Sequence, residues 1–144
     1  MSGKIAEKVI VRLLSEQECG GESSNVELVS EGTLKKLNGG FEISYDENAD
    51  TGYENSRTRL TVTDNRYVIM EREGDVSGKL ILENGVTHIC HYGTPFGIME
   101  ISVSAQGIKA YTDEKGAFLE FKYSIDFGGG FTGNYKVTVN AARE

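Results

Sequence analysis

The chain has 144 residues, 38% of them hydrophobic and 26% charged, enough for one domain with a core of its own. Fifteen Lys and Arg against 22 Asp and Glu leave a formal net charge of −7, which disfavours a general nucleic-acid binder or a protein held by charge on an anionic membrane. Eighteen glycines against a single proline, Pro95, argue for many tight reversals, and no apolar run comes near the roughly 18 residues of a spanning helix.

The opening segment from Met1 to Lys8 lacks the apolar stretch of a secretory signal. With only Cys19 and Cys90 in the chain, this predicts two reduced thiols in a cytoplasmic protein. From there the dominant period is two. Val9, Val11 and Leu13 alternate with Lys8, Ile10, Arg12 and Leu14 before a turn at Cys19-Gly20-Gly21. After the turn at Asn38-Gly39-Gly40, Phe41, Ile43 and Tyr45 alternate with Glu42, Ser44 and Asp46. An acidic turn, Glu47-Asn48-Ala49-Asp50-Thr51-Gly52, leads to Leu60 and Val62 between Arg59, Thr61 and Thr63. Asp64-Asn65 is a reversal, and Val68, Met70 and Arg72 then share one phase up to Glu73-Gly74-Asp75. Asn84-Gly85 precedes His88, Cys90 and Tyr92, which share a face opposite His91. Further turn signals stand at Gly93-Thr94-Pro95, Gln106-Gly107 and Glu114-Lys115-Gly116. The longest alternation follows: Leu119, Phe121, Tyr123, Ile125 and Phe127 face one way, and Glu120, Lys122, Ser124 and Asp126 the other. Beyond Gly128-Gly129-Gly130, Tyr135, Val137, Val139 and Ala141 repeat it.

Such alternation marks strands with one buried face, and Asn-Gly or Asp-Asn pairs permit the positive φ of two-residue hairpins. About ten strands with short turns leave no room for crossover helices, so neighbours pair antiparallel. The expected fold is all-β: one domain over residues 1–144, a single antiparallel up-and-down meander closing into a β-barrel of about 8–10 strands. A barrel of that size is either filled by side chains or holds one small ligand.

Six segments in order carry a resemblance: Ser30-Glu31-Gly32-Thr33-Leu34, Phe41-Glu42-Ile43-Ser44-Tyr45-Asp46-Glu47, Thr58-Arg59-Leu60-Thr61-Val62, Met70-Glu71-Arg72-Glu73-Gly74, Tyr92-Gly93-Thr94-Pro95-Phe96-Gly97, and Gly116 with Leu119-Glu120-Phe121-Lys122-Tyr123. In order and spacing the chain resembles the YwiB-like family of small cytoplasmic Firmicute proteins, from about residue 5 to residue 140. The resemblance implies a calycin-like barrel, similar in architecture to lipocalins and fatty-acid-binding proteins. It implies no activity, because the family is a domain of unknown function, and a shared barrel says little about function.

Arg72, in phase with Val68 and Met70, points into the barrel, where a charge needs a carboxylate, phosphate or several carbonyls. It either clamps an anionic ligand through its planar fork, pairs internally, or snorkels to solvent from a strand end. Tyr45, Tyr92 and Tyr123 fall on inward faces, where with Thr58 and His88 they line a polar patch around Arg72 or simply pack with their hydroxyls at the barrel mouth. One His and one Cys on the His88–Tyr92 face fall short of a tetrahedral metal site, and a mid-strand Cys90 lacks the setting of a nucleophile. Gly74-Asp75-Val76-Ser77-Gly78-Lys79-Leu80 is one residue short of a phosphate loop, with Leu80 where a magnesium-binding hydroxyl belongs. The segment Asp46-Glu47-Asn48-Ala49-Asp50 reads as a solvated turn, not a calcium loop.

Three functions compete. The first is a non-catalytic binder of a small, partly apolar ligand, anionic if Arg72 clamps it, with Arg72, Tyr45, Thr58, His88, Tyr92 and Tyr123 as binding residues and no cofactor, metal, nucleic acid or membrane partner. The second is an interaction or assembly module with a filled barrel. The third is an enzyme, which needs Arg72, His88, Tyr45 and Glu54 to converge in one cleft. A homodimer is compatible with all three.

Overall fold

The period-two segments become ten strands in the computed structural model, which describes residues 5–48, 54–75, 77–94, 97–128 and 130–144. They are β1 (Glu7–Cys19), β2 (Glu22–Leu37), β3 (Gly40–Asp46), β4 (Ser56–Thr63), β5 (Tyr67–Gly74), β6 (Gly78–Glu83), β7 (Thr87–Thr94), β8 (Gly97–Asp113), β9 (Gly116–Gly128) and β10 (Phe131–Arg143). Each pairs antiparallel with the next, and β10 returns to β1 with Leu13 opposite Val139 and Val11 opposite Ala141. The result is a closed ten-stranded up-and-down barrel, which hides the edges that an open sheet of this length would expose.

The inward phases read from the sequence hold for Val9, Val11, Phe41, Ile43, Leu60, Val62, Val68, Leu119, Phe121, Val137 and Val139, all buried. At the barrel end that carries the β2–β3, β4–β5 and β8–β9 turns, the side chains of Val11, Leu34, Ile43, Val62, Leu82 and Leu119 pack the interior and are fully buried. Each such side chain contributes about 1.5–3 kcal/mol through removal of apolar surface from water. The β4–β5 reversal uses the expected chemistry: Asp64 and Asn65 take φ of 52° and 54°, and the Arg66 N–H donates to the Thr63 carbonyl at 2.9 Å. That pair of positive φ values is the type I′ turn whose twist suits a hairpin.

One expected reversal is absent. Gln106-Gly107 does not end a strand; β8 continues through it as a bulge, with the register shifting between Ala105 and Ile108. The extra residue flips the phase, so Ile101, Val103 and Ala105 point inward before it and Ile108 after it. Glycine at 107, with φ of 151°, accommodates the irregularity. The turn expected at Gly93-Thr94-Pro95-Phe96-Gly97 falls between β7 and β8, but Pro95 and Phe96 lie outside the described residues, as do Ala49, Asp50, Thr51 and Gly52 of the expected acidic turn, Val76 and Gly129.

The barrel wall has one weak line. β5 and β6 are in register over six residue pairs, whereas between β6 and β7 the pairing consists, among the described residues, of Gly78 opposite Tyr92 and an isolated bridge between Glu83 and Val86 at the connecting turn. Side chains bridge this seam. At one end the Tyr92 ring lies directly over Gly78, where an added Cβ would fall 2.5 Å from its Cδ1. At the other end His88 Nε2 meets Glu83 Oε1 at 2.9 Å.

Candidate functional site

Strand register assembles the site. Tyr45 on β3 stands opposite Thr58 on β4, Thr58 opposite Arg72 on β5, Arg72 opposite Gly78 on β6, and Gly78 opposite Tyr92 on β7. Four residues expected to share a patch thus form one row around the barrel wall. Antiparallel register keeps opposite residues on the same face, so an inward Tyr45 forces Thr58, Arg72 and Tyr92 inward with it.

Arg72 is buried, and its charge is met from within the protein. Its Nη2 donates to Glu47 Oε2 at 3.1 Å and its Nε to Thr58 Oγ1 at 3.1 Å, while Nη1 donates to the Tyr92 hydroxyl. Thr58 in turn donates to Glu47 Oε2 at 2.5 Å. The side chains of Arg72 and Glu47 are 8% and 2% exposed, so this is a desolvated ion pair with both charges hydrogen-bonded. Glu47 therefore corrects the reading of the acidic turn as solvated. It stands just past the end of β3, its N–H bonded to the Ser56 carbonyl at 2.9 Å, and its carboxylate turns inward to Arg72. The signal was available, since Glu47 continues the phase of Phe41, Ile43 and Tyr45. An interior cation needs a counter-charge, and that need outweighs the preference of a turn carboxylate for water.

Burial pushes the Tyr45 phenol far above the ordinary tyrosine range. The negative charge of Glu47 adds to the shift, while Arg72 and a hydrogen bond with Thr58 oppose it. Tyr45 is accordingly a neutral hydroxyl at any physiological pH.

Beside this row, in the half of the barrel opposite the filled end, lies a cavity of about 330 Å³. Leu13, Leu60, Met70, Leu80, Ile101, Ile125 and Val137 form its apolar walls, and Tyr45, Glu47, Arg72 and Tyr92 its polar side. Tyr123 and Tyr135 face it as a stacked pair, with ring centroids 5.0 Å apart and planes inclined by 15°. Ser15, Gln17 and Met99 also line it.

The structure therefore gathers Tyr45, Thr58, Arg72, Tyr92 and Tyr123 around one space, with Thr58 behind the lining as a bridge between Arg72 and Glu47. His88 is a correction: it does not line the cavity but pairs with Glu83 at the far end of the β6–β7 seam, because the strand carries it two register steps beyond Cys90 and four beyond Tyr92. Glu54 is exposed, so the four groups proposed for acid–base chemistry do not converge. Glu47 and Tyr135 are the site residues that sequence reasoning missed. Cys19 and Cys90 are both free thiols, Cys19 with its sulfur 3.7 Å from the Tyr135 hydroxyl and Cys90 buried. No group of three or more His, Cys, Asp or Glu suited to a metal occurs among the described residues.

Residues 11–139 match the family described as a domain of unknown function, DUF1934. Among solved structures, the ywiB protein from Bacillus subtilis superposes with a TM-score of 0.78 at 22% identity, over 95% of this chain and 93% of that one. A second structure, from Bacteroides ovatus and described as of unknown function, gives a TM-score of 0.34 at 10% identity over 96% of this chain and 41% of that one. No curated protein matches the sequence. The chain belongs to the DUF1934 family, in agreement with the YwiB-like resemblance, and shares its barrel fold with the Bacillus subtilis protein.

Proposed function

We propose that this member of the DUF1934 family binds a small, partly apolar ligand in the unfilled half of its barrel and does no chemistry on it. The observation that carries the reading is the cavity itself: apolar walls with a few placed polar groups on one side are the usual form of a small-molecule site. Its volume, about 330 Å³, lies within the range of such sites and favours this reading over a barrel filled from end to end. Calycin-like barrels hold ligands in this position, which supports the reading by analogy of architecture alone. A non-catalytic role is supported by the internal pairing of Arg72, which leaves the interior cation engaged in structure.

A cytoplasmic, water-surrounded protein fits the two free thiols and the charged outer wall, where Arg57 pairs with Asp46 and Arg59 with Glu71. Charges outside and apolar groups inside reverse the pattern of a membrane barrel. Among the described residues, no helix is long and apolar enough to cross a membrane.

The test is a native mass spectrum of the freshly purified protein against its denatured mass. An added mass that vanishes on denaturation supports the reading, and the same spectrum reports whether the chain is a dimer. A bare mass, together with no melting shift across a panel of amphiphilic small molecules, would overturn it.

A further inference from the structure

We propose that Glu47 makes the cavity selective for neutral ligands: the polar head it accepts is an uncharged hydroxyl, amide or ester, not a carboxylate or phosphate. This rests on the ligand-binding reading above and specifies its chemistry.

A buried arginine beside an apolar cavity looks at first like an anion clamp. Here the clamp is already closed on a carboxylate of the same chain. Glu47 Oε2 accepts from Arg72 Nη2 at 3.1 Å and from Thr58 at 2.5 Å, and the backbone of Glu47 is tied to Ser56. All three guanidinium nitrogens have partners in the protein: Nε in Thr58, Nη1 in Tyr92, Nη2 in Glu47. A ligand anion would have to displace a carboxylate that is covalently tethered, already in place and only 2% exposed. Tethering gives Glu47 an effective concentration no free ligand matches. An anion that left the pair intact would instead bring an unpaired charge into an apolar space beside the Glu47 carboxylate. A ligand cation meets the same obstacle from Arg72. The remaining polar side chains on the lining, Ser15, Gln17 and the phenols of Tyr45, Tyr92, Tyr123 and Tyr135, are uncharged and exchange hydrogen bonds with neutral heads.

The experiment compares decanamide with decanoate, two ten-carbon chains with planar heads of the same shape that differ in charge. Calorimetric affinities are measured on the parent, on Glu47→Gln, and on Glu47→Gln/Arg72→Met, which removes both charges of the buried pair. The parent is expected to bind decanamide at least tenfold more tightly than decanoate. Glu47→Gln should reverse that preference by tenfold or more, because Arg72 then loses the Glu47 carboxylate as counter-charge, and the double variant should restore it. Parent protein that binds decanoate as tightly as decanamide overturns the inference while leaving the ligand-binding reading standing. If neither probe binds any of the three proteins and the native spectrum shows no adduct, the ligand-binding reading falls and this one with it. Should Glu47→Gln not fold, the ratio in the parent and its persistence in the double variant decide the matter.

Discussion

Replacing Glu47 by alanine removes one side of an ion pair whose other side cannot reach water. Arg72 keeps Thr58 and Tyr92 as acceptors but loses the Glu47 carboxylate, its ionic partner among the described residues, with its side chain 8% exposed. Breaking a buried pair from one side costs about 3–5 kcal/mol, most of it the penalty of an uncompensated charge. For 144 residues the unfolding entropy near the melting point is about 0.3 kcal/mol/K, so Glu47→Ala should lower Tm by about 10–17 °C. Arg72→Met should also destabilise the protein, leaving Glu47 with Thr58 as its donor. Removing both charges in Glu47→Ala/Arg72→Met should return part of the loss, since no uncompensated buried charge of the pair then remains. The double-mutant cycle should then give a coupling of about 2–3 kcal/mol. Urea unfolding followed by far-ultraviolet circular dichroism measures all four proteins without relying on tryptophan, which the chain lacks. Additive single effects, with coupling below about 0.5 kcal/mol, would refute the claim that the two charges depend on each other.

Gly78→Ala places a Cβ 2.5 Å from the Tyr92 ring, which must move off Arg72; a loss of about 1–3 kcal/mol is expected by urea titration, and a neutral result would show that the ring does not rest there. The folded pKa of Tyr45 lies above its unfolded value of 10.0, so stability is full below about pH 10 and declines as pH rises, the unfolded chain releasing a proton that the folded one keeps. Tyr45→Phe should remove about 1.4 kcal/mol per pH unit from that alkaline slope, and an unchanged slope would contradict the burial of the phenol. Native-state hydrogen exchange should find the seam-facing amides of β6 and β7 opening before those of β9 and β10, which are in register along nearly their whole length. Equal protection on both would mean that the seam carries a ladder after all.

The strands could be read directly because each reports on itself. A residue in a strand sends its side chain to one face, so Phe41-Ile43-Tyr45 or Leu119-Phe121-Tyr123 declares a buried wall with no knowledge of its neighbours. Asp64-Asn65 declares its turn for a similarly local reason, since few other residues accept positive φ twice in succession. Phase also placed Arg72 inside. Which charge would meet it was a different kind of question, because Glu47 lies 25 residues away and reaches Arg72 only when β3, β4 and β5 stand in register. The same holds for His88, whose face was read correctly but whose height along the barrel was not, and for Gln106-Gly107, where a bulge and a turn share the same residues. Whether the barrel was filled or hollow could not be read from inward residues alone. That depends on how side chains from opposite walls meet across the axis, and only closure of the barrel brought Leu82 and Leu119 into the packed half while leaving Arg72 and Tyr123 beside a cavity. Period and turn chemistry are properties of a few consecutive residues, whereas pairing, register and empty volume exist only once distant strands share a wall.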